Sequence, residues 1–359
     1  MELKYIVIIV IIVIFGFLSA EEMRALWVPS WDLISRDKID QIVRNAATAD
    51  INTLLVEVRY RSDTFYVPNR NSTEFPNPDS DSRLMPEPFD ALQHVIDTAC
   101  AYDLKVYAWV TMYVATAGDL EKNNNNNPWF RAPELITTDV NWRKMPYDEL
   151  EGAFLDPGIP AVSNYLYNVV LDIATNYRVN GIQLDYIRYP GSQWGYHPMA
   201  VERYQRDVRK PSPVRWQKWR CEQVTDLVKR IRKGLKNRAP DVELTAAVIA
   251  DPDNALAEYN QDWLLWLRKG YVQRVFPMNY NARNDDFEKV LNKIALHGYK
   301  NRTVMGIRAW EHPKGYSVKD INTKIDLTWK RGIFNYALFS STGLNENNYW
   351  KKLIIRKSK

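Results

Sequence analysis

A single acidic residue closes a short apolar segment near the middle of the sequence. The segment Gly181–Asp185 is followed at once by Tyr186, Arg188 and Pro190. If this segment is a strand of a parallel α/β protein, Asp185 lies at its carboxyl end, where barrels bind ligands and catalyse reactions. A carboxylate in that position loses hydration free energy unless it is paired. We therefore predict a catalytic or direct substrate role for Asp185, the alternative being an ion pair with Arg188 or a helix terminus.

A second carboxylate follows a later apolar segment. Glu311 comes shortly after Thr303–Ile307 and would lie at the same mouth of a barrel as Asp185. Hydrolysis of a glycosidic bond typically uses two carboxylates, one that protonates the leaving oxygen and one that acts as nucleophile or base. We predict Asp185 as the nucleophile or base and Glu311 as the acid. The alternative for Glu311 is a solvated loop residue that pairs with Arg308.

Further charged residues lie within or just after other apolar segments, and we predict that they contact the substrate. They are Glu57, Arg59, Arg188, Asp251 and Arg308. Glu57 has an alternative as the ion-pair partner of Arg59 or Arg61. Asp251 stands in a sequence that also reads as a turn and a helix cap.

Aromatic residues are abundant, with 13 Trp and 21 Tyr. Flat apolar rings with a polar edge bind sugar rings well, and several of these residues fall near predicted strand ends. The candidates for a sugar-binding platform are Trp27, Trp31, Trp109, Asn279, Tyr280 and Trp310. The alternative for each aromatic residue is packing in the core.

The sequence contains no motif for several other kinds of chemistry. The four His residues show no metal-ligand spacing, and neither a Gly-x-Ser-x-Gly elbow, a phosphate-binding loop nor a dinucleotide fingerprint is present. We therefore predict no metal and no organic cofactor. The net charge is +5 and the pI is about 8.9, but no dense run of Lys and Arg occurs. Nucleic acid is not an expected partner, whereas anionic surroundings such as a cell envelope are.

Eight strand-like segments alternate with segments of helical periodicity, and together they must position these side chains. The predicted strands are Arg24–Pro29, Thr53–Arg59, Lys105–Thr111, Gly181–Asp185, Glu243–Ile249, Arg274–Met278, Thr303–Ile307 and Ile333–Phe339. Parallel strands need helices on their outer face, so this alternation predicts an α/β protein with a single (β/α)8 barrel of the TIM type. The connections after the second, third and fourth strands are long, which places long loops on the C-terminal face.

The first residues have the pattern of an export signal. Lys4 precedes an apolar run from Tyr5 to Leu18, which Ser19 and Ala20 follow. The run is short for a membrane span and suits a signal peptide, with an uncleaved anchor as the alternative. We predict a signal peptide over residues 1–20 and one barrel domain over 21–359. The expected location is periplasmic, extracellular or envelope-associated, without stable membrane insertion after cleavage.

Six short motifs in chain order resemble the glycosyl-hydrolase-like family 10 proteins of bacterial envelopes. They are Arg24–Val28, Val56–Arg59, Leu155–Gly158, Gly181–Pro190, Gln261–Trp263 and Phe276–Tyr280. The resemblance implies a (β/α)8 barrel with glycosidase activity, and one branch of the family acts on peptidoglycan glycan strands stripped of their stem peptides. Asp185 matches the family's strand-four carboxylate, the nucleophile or base. Many relatives carry a second Asp directly after it, where this chain has Tyr186.

The function predicted from the sequence is hydrolysis of a cell-envelope or extracellular polysaccharide. Two alternatives differ in class. A non-catalytic glycan-binding barrel would keep the aromatic platform without a working second carboxylate. A polysaccharide deacetylase or an esterase would need metal ligands or an activated Ser. The sequence does not indicate any protein partner.

Overall fold

The structure is a computed structural model that describes residues 22–81, 89–116, 126–148, 151–350 and 353. These residues form a closed barrel of eight parallel strands. The barrel strands are β1 (Arg24–Val28), β2 (Thr53–Tyr60), β3 (Lys105–Thr111), β4 (Gly181–Asp185), β5 (Glu243–Ile249), β6 (Arg274–Met278), β7 (Val304–Arg308) and β8 (Asn335–Phe339). Strand β1 pairs with β2 and also with β8, so the ring closes. The predicted (β/α)8 barrel is confirmed.

The strands are buried along almost their whole length because both faces of the sheet are covered. Inside the barrel, Trp27, Trp109 and Phe276 belong to one compact cluster. Residues of the outer face, such as Leu26 and Val110, pack instead into the larger core under the helices. Alternation along each strand therefore divides its side chains between two cores, and the inner one leads to the barrel mouth.

Helices cover the outside of the barrel between the strands. They are α1 (Arg36–Thr48), α2 (Ala91–Cys100), α3 (Pro128–Arg131), α4 (Pro160–Asn176), α5 (Pro198–Asp207), α6 (Pro213–Arg238), α7 (Pro252–Tyr259), α8 (Trp263–Lys269), α9 (Asn284–Leu296), α10 (Val318–Lys330) and α11 (Ser341–Glu346). Side chains cap several of them: Ser35 accepts a hydrogen bond from the first turn of α1, and Asp262 does the same for α8. Such caps satisfy backbone N–H groups that have no partner inside the helix.

The observed strand bounds agree with the predicted ones within two residues. Strand β1 ends at Val28 rather than Pro29, since proline has no N–H with which to continue the ladder. Strand β8 begins at Asn335 rather than Ile333, because the N–H of Ile333 donates to the carbonyl of Thr328 and closes the turn after α10.

The two ends of the barrel are built differently. Long connections follow β2, β3 and β4 on the C-terminal face, as predicted, whereas short turns enter the strands on the opposite face. On that N-terminal face lies a cleft of about 810 Å³. Its lining includes Arg70, Gln93, Asp97, Cys100, Lys105 and Arg178.

The predicted signal peptide, residues 1–20, lies outside the described residues. Within the part of the chain that the structure describes, no helix is both long and apolar enough to cross a membrane.

Candidate active site

Asp185 lies at the carboxyl end of β4, facing the barrel mouth. Its side chain is held through both oxygens: the indole Nε1 of Trp109 donates to Oδ2 at 2.9 Å, and the backbone N–H of Tyr186 donates to Oδ1 at 2.7 Å. Tyr186 adopts a left-handed conformation with φ of 49°, which is uncommon for a residue with a side chain. The carboxylate therefore has a fixed orientation set by two donors.

The environment of Asp185 favours its protonated form more than water does. Asp185 is 5% exposed, and burial raises its pKa to about 6, against the opposing effects of the Tyr186 N–H, the Arg188 charge and the Trp109 indole. The charge of Glu151 adds a smaller effect that raises the pKa further. Asp185 is therefore mostly ionised at pH 7 and becomes protonated in mildly acidic solution.

Glu57 is the second buried carboxyl group at this mouth. It lies on β2, where the pairing with β3 skips a residue between Glu57 and Arg59, so the strand bulges there. The backbone N–H of Ser30 donates to Oε2 of Glu57 at 2.9 Å. Glu57 is 2% exposed, and burial raises its pKa to about 8, opposed by Ser30 and reinforced by the negative charge of Asp185. Glu57 is therefore mostly protonated at pH 7.

Arg59 lies two residues after Glu57 but does not neutralise it. Its Nε forms an ion pair with Asp79 at 2.7 Å, and its Nη2 donates to Ser62 at 2.9 Å and to Tyr165 at 2.7 Å. Bulges redirect side chains, and this one leaves Glu57 facing the mouth while Arg59 joins a buried network under the loops. The guanidinium of Arg59, for which we predicted a substrate contact, is fully buried among these partners.

The residues around Glu57 come from opposite ends of the sequence. Ser30 begins a single 3₁₀ turn, Ser30–Asp32, just after β1. The side chain of Asp32 accepts hydrogen bonds from the hydroxyl groups of Ser341 and Thr342 at the start of α11. The indole Nε1 of Trp31 also donates to Thr342, at 2.8 Å. The turn that holds Glu57 is therefore fixed to the segment that follows β8.

Glu311, predicted as the acid, lies in a different environment. It is exposed in the loop after β7, where its Oε1 accepts the backbone N–H of Gly315 at 3.1 Å. The carboxyl group whose charge acts together with that of Asp185 is Glu57. Glu311 thus lies in a solvated loop, whereas Glu57 is the carboxyl group that is buried with Asp185 at the mouth.

Aromatic rings form the floor of the mouth around Phe339, a residue that the sequence analysis did not select. The ring centroid of Phe339 lies 5.8 Å from Trp27, 6.1 Å from Trp109, 5.4 Å from Tyr280 and 6.0 Å from Trp310. These distances are typical of stabilising ring pairs. The structure thus brings together four of the predicted platform residues.

Trp31 stands at the rim of the mouth rather than in its floor. It is 41% exposed, and its ring packs edge-on against Tyr60 with centroids 6.1 Å apart. An exposed indole held by a hydrogen bond to Thr342 offers a flat apolar face to a sugar ring.

Two polar groups below the rim have no hydrogen-bond partner among the described residues. They are the hydroxyl of Tyr280 and the amide nitrogen of Gln183, whose amide oxygen accepts from Trp27 Nε1 at 2.7 Å. Burial and the charge of Asp185 raise the pKa of Tyr280, so its hydroxyl keeps its proton as a donor. Gln183 precedes Asp185 by two residues on β4, and that strand periodicity was the signal that could have identified it.

The remaining predicted contacts lie partly at the mouth and partly in structural positions. Arg188 pairs with Glu151 at 3.1 Å, and Arg308 lies over Trp310 with its guanidinium carbon 4.2 Å from the ring centroid. Asp251 caps α7 and pairs with Lys293 at 2.7 Å.

Asn279 also has a structural position. Its amide nitrogen donates to the carbonyl of Phe287 at 3.0 Å, and its amide oxygen accepts from Asn281 at 2.8 Å. Both ends of this side chain are therefore engaged within the protein.

The arrangement suits acid–base chemistry on a bound sugar. Among the described residues, no group of three or more His, Cys, Asp or Glu side chains is placed to hold a metal ion. The mouth instead holds one protonated and one ionised carboxyl group at neutral pH, above aromatic rings. Glycosidases use such a pair of carboxyl groups in different protonation states.

Comparison with known protein families agrees with this geometry. The sequence model of the family described as Glycosyl hydrolase-like 10 matches residues 22–331. The chain is 25% identical over 212 residues to the glycosyl hydrolase DigH of Escherichia coli K12, a match that spans 54% of this chain and 46% of DigH. It is 19% identical to the glycosyl hydrolase YngK of Bacillus subtilis over 92% of this chain and 70% of YngK. The matched part of this chain thus spans about half the length of DigH.

Solved structures with the same fold include glycoside hydrolase barrels. The glycoside hydrolase domain of PgaB (BpsB) from Bordetella bronchiseptica superposes with a TM-score of 0.73 at 14% identity, covering 94% of this chain and 100% of that domain. The α-L-fucosidase isoenzyme 2 of Paenibacillus thiaminolyticus superposes with a TM-score of 0.67 at 13% identity, over 93% of this chain and 48% of that one. At these identities the superpositions show the fold.

Proposed function

The chain belongs to the glycosyl hydrolase-like 10 family, and from this premise we propose that it hydrolyses glycosidic bonds of a cell-envelope polysaccharide. One observation carries the proposal: Glu57 and Asp185 are both buried at the barrel mouth, and the charge of Asp185 acts on Glu57. Two like charges in one low-dielectric site do not ionise together, so the pair loses its protons in two separate steps.

The protonation states assign the two roles. Between pH 6 and pH 8 the dominant form has Asp185 ionised, with its pKa at about 6, and Glu57 protonated, with its pKa at about 8. Glu57 is therefore the general acid and Asp185 the nucleophile or base. Matching each pKa to its task in this way is how glycosidases obtain acid and base chemistry from two carboxyl groups.

The reaction follows from these roles. The Glu57 proton moves to the glycosidic oxygen as the bond from that oxygen to the anomeric carbon breaks. Asp185 either attacks the anomeric carbon or takes a proton from the water that attacks it, and one water molecule is consumed in total. Trp109 and the Tyr186 N–H hold the Asp185 carboxylate in place throughout, which reduces the reorganisation needed at the transition state.

The proposed substrate class is a glycan of the bacterial envelope, with peptide-free peptidoglycan strands as the specific candidate. The exposed face of Trp31 and the partly exposed rings of Tyr280 and Trp310 supply the platform. The family resemblance supports the glycan class, and the N-terminal sequence pattern supports an exported enzyme that meets it outside the cytoplasm.

The test is product release from peptide-free peptidoglycan strands, measured by mass spectrometry for the wild type and Asp185→Asn. We expect soluble saccharides from the wild type and a loss of at least about 10³-fold in the variant, which keeps the shape of the side chain but not its charge. Asp251→Asn is the matched control, since that residue caps α7 and pairs with Lys293.

Each outcome decides between functions. Equal release by wild type and Asp185→Asn would keep a glycosidase but remove Asp185 from its centre. Binding of the strands by wild type without any release would instead favour a non-catalytic glycan-binding barrel.

A further inference from the structure

A two-residue turn with an uncommon backbone conformation ends β2 beside the carboxyl pair. Arg61 and Ser62 join β2 to the short antiparallel strand Asp63–Thr64, and their φ values are 56° and 73°. Two-residue hairpin turns often need positive φ at both positions, which is why Asn and Gly are usual there. Arginine and serine carry a steric cost in this region. A costly conformation beside a reactive site raises the question of what the arginine side chain does there.

The turn is fixed by its neighbours rather than by its own residues. The backbone N–H of Arg61 donates to the hydroxyl of Thr111 at 3.0 Å, and its carbonyl accepts from the side chain of Asn127 at 2.9 Å. The hydroxyl of Ser62 accepts from Arg59 at 2.9 Å. Hydrogen bonds on both sides thus hold the backbone of Arg61, and they fix the position from which its side chain extends.

The Arg61 side chain extends along the rim. Its guanidinium carbon lies 4.6 Å from the ring centroid of Tyr60, whose ring contacts Trp31. The positive charge of Arg61 acts to lower the pKa of Glu57, although burial outweighs this effect. Asp79 neutralises Arg59 and Glu151 neutralises Arg188, whereas Arg61 forms no ion pair with any carboxylate in the described part of the chain.

A second arginine of the same kind lies across the mouth. Arg308 ends β7, its guanidinium lies over Trp310, and it too has no carboxylate in ion-pair range among the described residues. Its Nε is buried without a hydrogen-bond partner there, while Nη1 donates to the carbonyl of Tyr280 at 3.2 Å. Around the barrel, β8 and β1 separate β7 from β2, so the two arginines flank the strip that carries Phe339 and Trp31.

We propose that Arg61 is a specificity-determining residue that binds a carboxylate group on the sugar chain, with Arg308 as a second such position, so that the substrate is an acidic glycan. The inference rests on the proposed function of this mouth. A guanidinium presents paired donors that match both oxygens of a carboxylate, and stacking on an aromatic ring leaves those donors free at its edge. An ionised Asp185 repels an anionic substrate, and the two unneutralised arginines offset that repulsion.

The experiment uses one glycan in two forms that differ only in charge. The probes are peptide-free peptidoglycan strands with free muramyl carboxylates and the same strands after conversion of those groups to methylamides. Binding is measured with Asp185→Asn protein, so that hydrolysis does not interfere, and product release is measured with the otherwise wild-type chain.

Three variants separate charge from structure. Arg61→Asn removes the charge but keeps a residue that tolerates positive φ, Arg61→Lys keeps a cation, and Arg178→Asn removes an exposed arginine at the N-terminal face. We expect at least tenfold tighter binding of the acidic strands, with Arg61→Asn losing most of that preference and binding the amidated strands as before. Arg61→Lys should retain part of the preference and Arg178→Asn all of it, and salt should weaken the preference.

The outcomes also separate this inference from the proposed function. Equal binding of the two forms, or an equal loss on both forms in Arg61→Asn, would overturn the specificity role of Arg61. Product release without a charge preference would keep the hydrolase and overturn the acidic-glycan inference. A charge preference without product release would keep the acidic-glycan inference and overturn the hydrolase. Failure to bind either form would overturn the inference together with the proposed substrate. Thermal unfolding of each variant shows that the fold is retained.

Discussion

The two ends of the barrel place a glutamate in opposite environments. At the N-terminal end, Glu243 accepts a hydrogen bond from the Tyr107 hydroxyl at 2.8 Å and forms an ion pair with Arg274. At the C-terminal end, Glu57 has the Ser30 N–H and faces the anion Asp185. The first arrangement neutralises its charge. The second keeps a proton that the unfolded chain would release at neutral pH, and that stored proton is available for chemistry.

The same contrast shows that a large cleft and the proposed active site lie at opposite ends of the barrel. The cleft of about 810 Å³ lies at the N-terminal face. Some of its polar residues have partners: Arg70 pairs with Asp90 at 3.6 Å, and Gln93 donates to Asp97 at 2.8 Å. At the mouth, by contrast, the Tyr280 hydroxyl and the Arg308 Nε have no partner among the described residues. Our assignment of the mouth as the active site therefore rests on its unsatisfied donors and its two carboxyl groups with raised pKa values, not on cavity volume.

The largest expected effect is on catalysis in Glu57→Gln. The amide keeps the shape of the side chain but has no acidic proton to give, so we expect kcat/KM to fall by about 10²–10⁴-fold at pH 7. The pH profile should change as well: wild-type activity rises through pH 6 as Asp185 ionises and falls through pH 8 as Glu57 loses its proton, with pKa values of about 6 and about 8. The alkaline fall should disappear in the variant.

The matched control for that variant is the glutamate at the opposite end. Glu243→Gln makes the same chemical change and should leave kcat/KM within about twofold of wild type, since it lies far from the reacting groups. Full activity of Glu57→Gln, or an equal loss in both variants, would remove the functional distinction between the two ends.

The next effect is on stability, and its sign depends on pH. Burial raises the pKa of Glu57 from 4.5 to about 8, so the folded protein binds a proton more tightly than the unfolded chain. The contribution of this proton to stability is complete below about pH 4.5 and is lost as pH rises through 8. We therefore compare the free energy of unfolding of Glu57→Gln with that of wild type at two pH values. The difference should shift in favour of the variant by on the order of 4 kcal/mol between pH 5 and pH 9. Denaturant titrations at the two pH values measure this, and an unchanged difference would contradict the buried proton.

A smaller change in stability is expected at the N-terminal end. Glu243→Gln leaves Arg274 without its carboxylate and weakens the hydrogen bond from Tyr107, so the free energy of unfolding should fall by about 1–2 kcal/mol at pH 7. Because the pair is partly hydrated, the loss should shrink at high salt. Denaturant titrations at low and high salt test this, and a gain in stability on removing Glu243 would show that its charge is not neutralised as the contacts indicate.

The smallest effect concerns the exposed aromatic residues of the two ends. Trp31 at the rim is 41% exposed, and Tyr102 near the N-terminal face is 43% exposed. Trp31→Ala should raise KM about 3–10-fold by removing a sugar-stacking face worth about 1 kcal/mol, whereas Tyr102→Ala should leave KM unchanged. Similar effects of both substitutions would mean that glycan binding is not confined to the mouth.

The fold was readable from the sequence because its signals are local. The eight buried strands appear in the sequence as short apolar runs, and segments of helical periodicity lie between them. A parallel barrel is the arrangement that covers both faces of such a sheet. The position of Asp185 followed from the same reasoning, since a carboxylate that closes an apolar strand must lie at the strand's end.

The proposed acid, Glu57, could not be predicted from the sequence, because the burial of this carboxyl group depends on long-range contacts. Glu57 and Arg59 stand two residues apart and suggested an ion pair, but the bulge between them and the distant partner Asp79 separate the two side chains. Glu311 had the right position in the chain, yet its loop leaves it hydrated. The pKa of a carboxyl group is set by its neighbours in space, which spacing along the chain does not reveal.

The contacts between the Ser30–Asp32 turn and α11 have a consequence for the stage of folding at which the proposed active site forms. Asp32 and its partners Ser341 and Thr342 are 309 and 310 residues apart in the chain. Contacts of such separation close a very long loop, and the entropy cost of closing it favours their late formation in folding. The Ser30 N–H that orients the buried Glu57 side chain is therefore in place only once the first and last strands have met. In a chain that is still folding, or has locally opened at this seam, Glu57 would be hydrated and could not serve as the proposed acid.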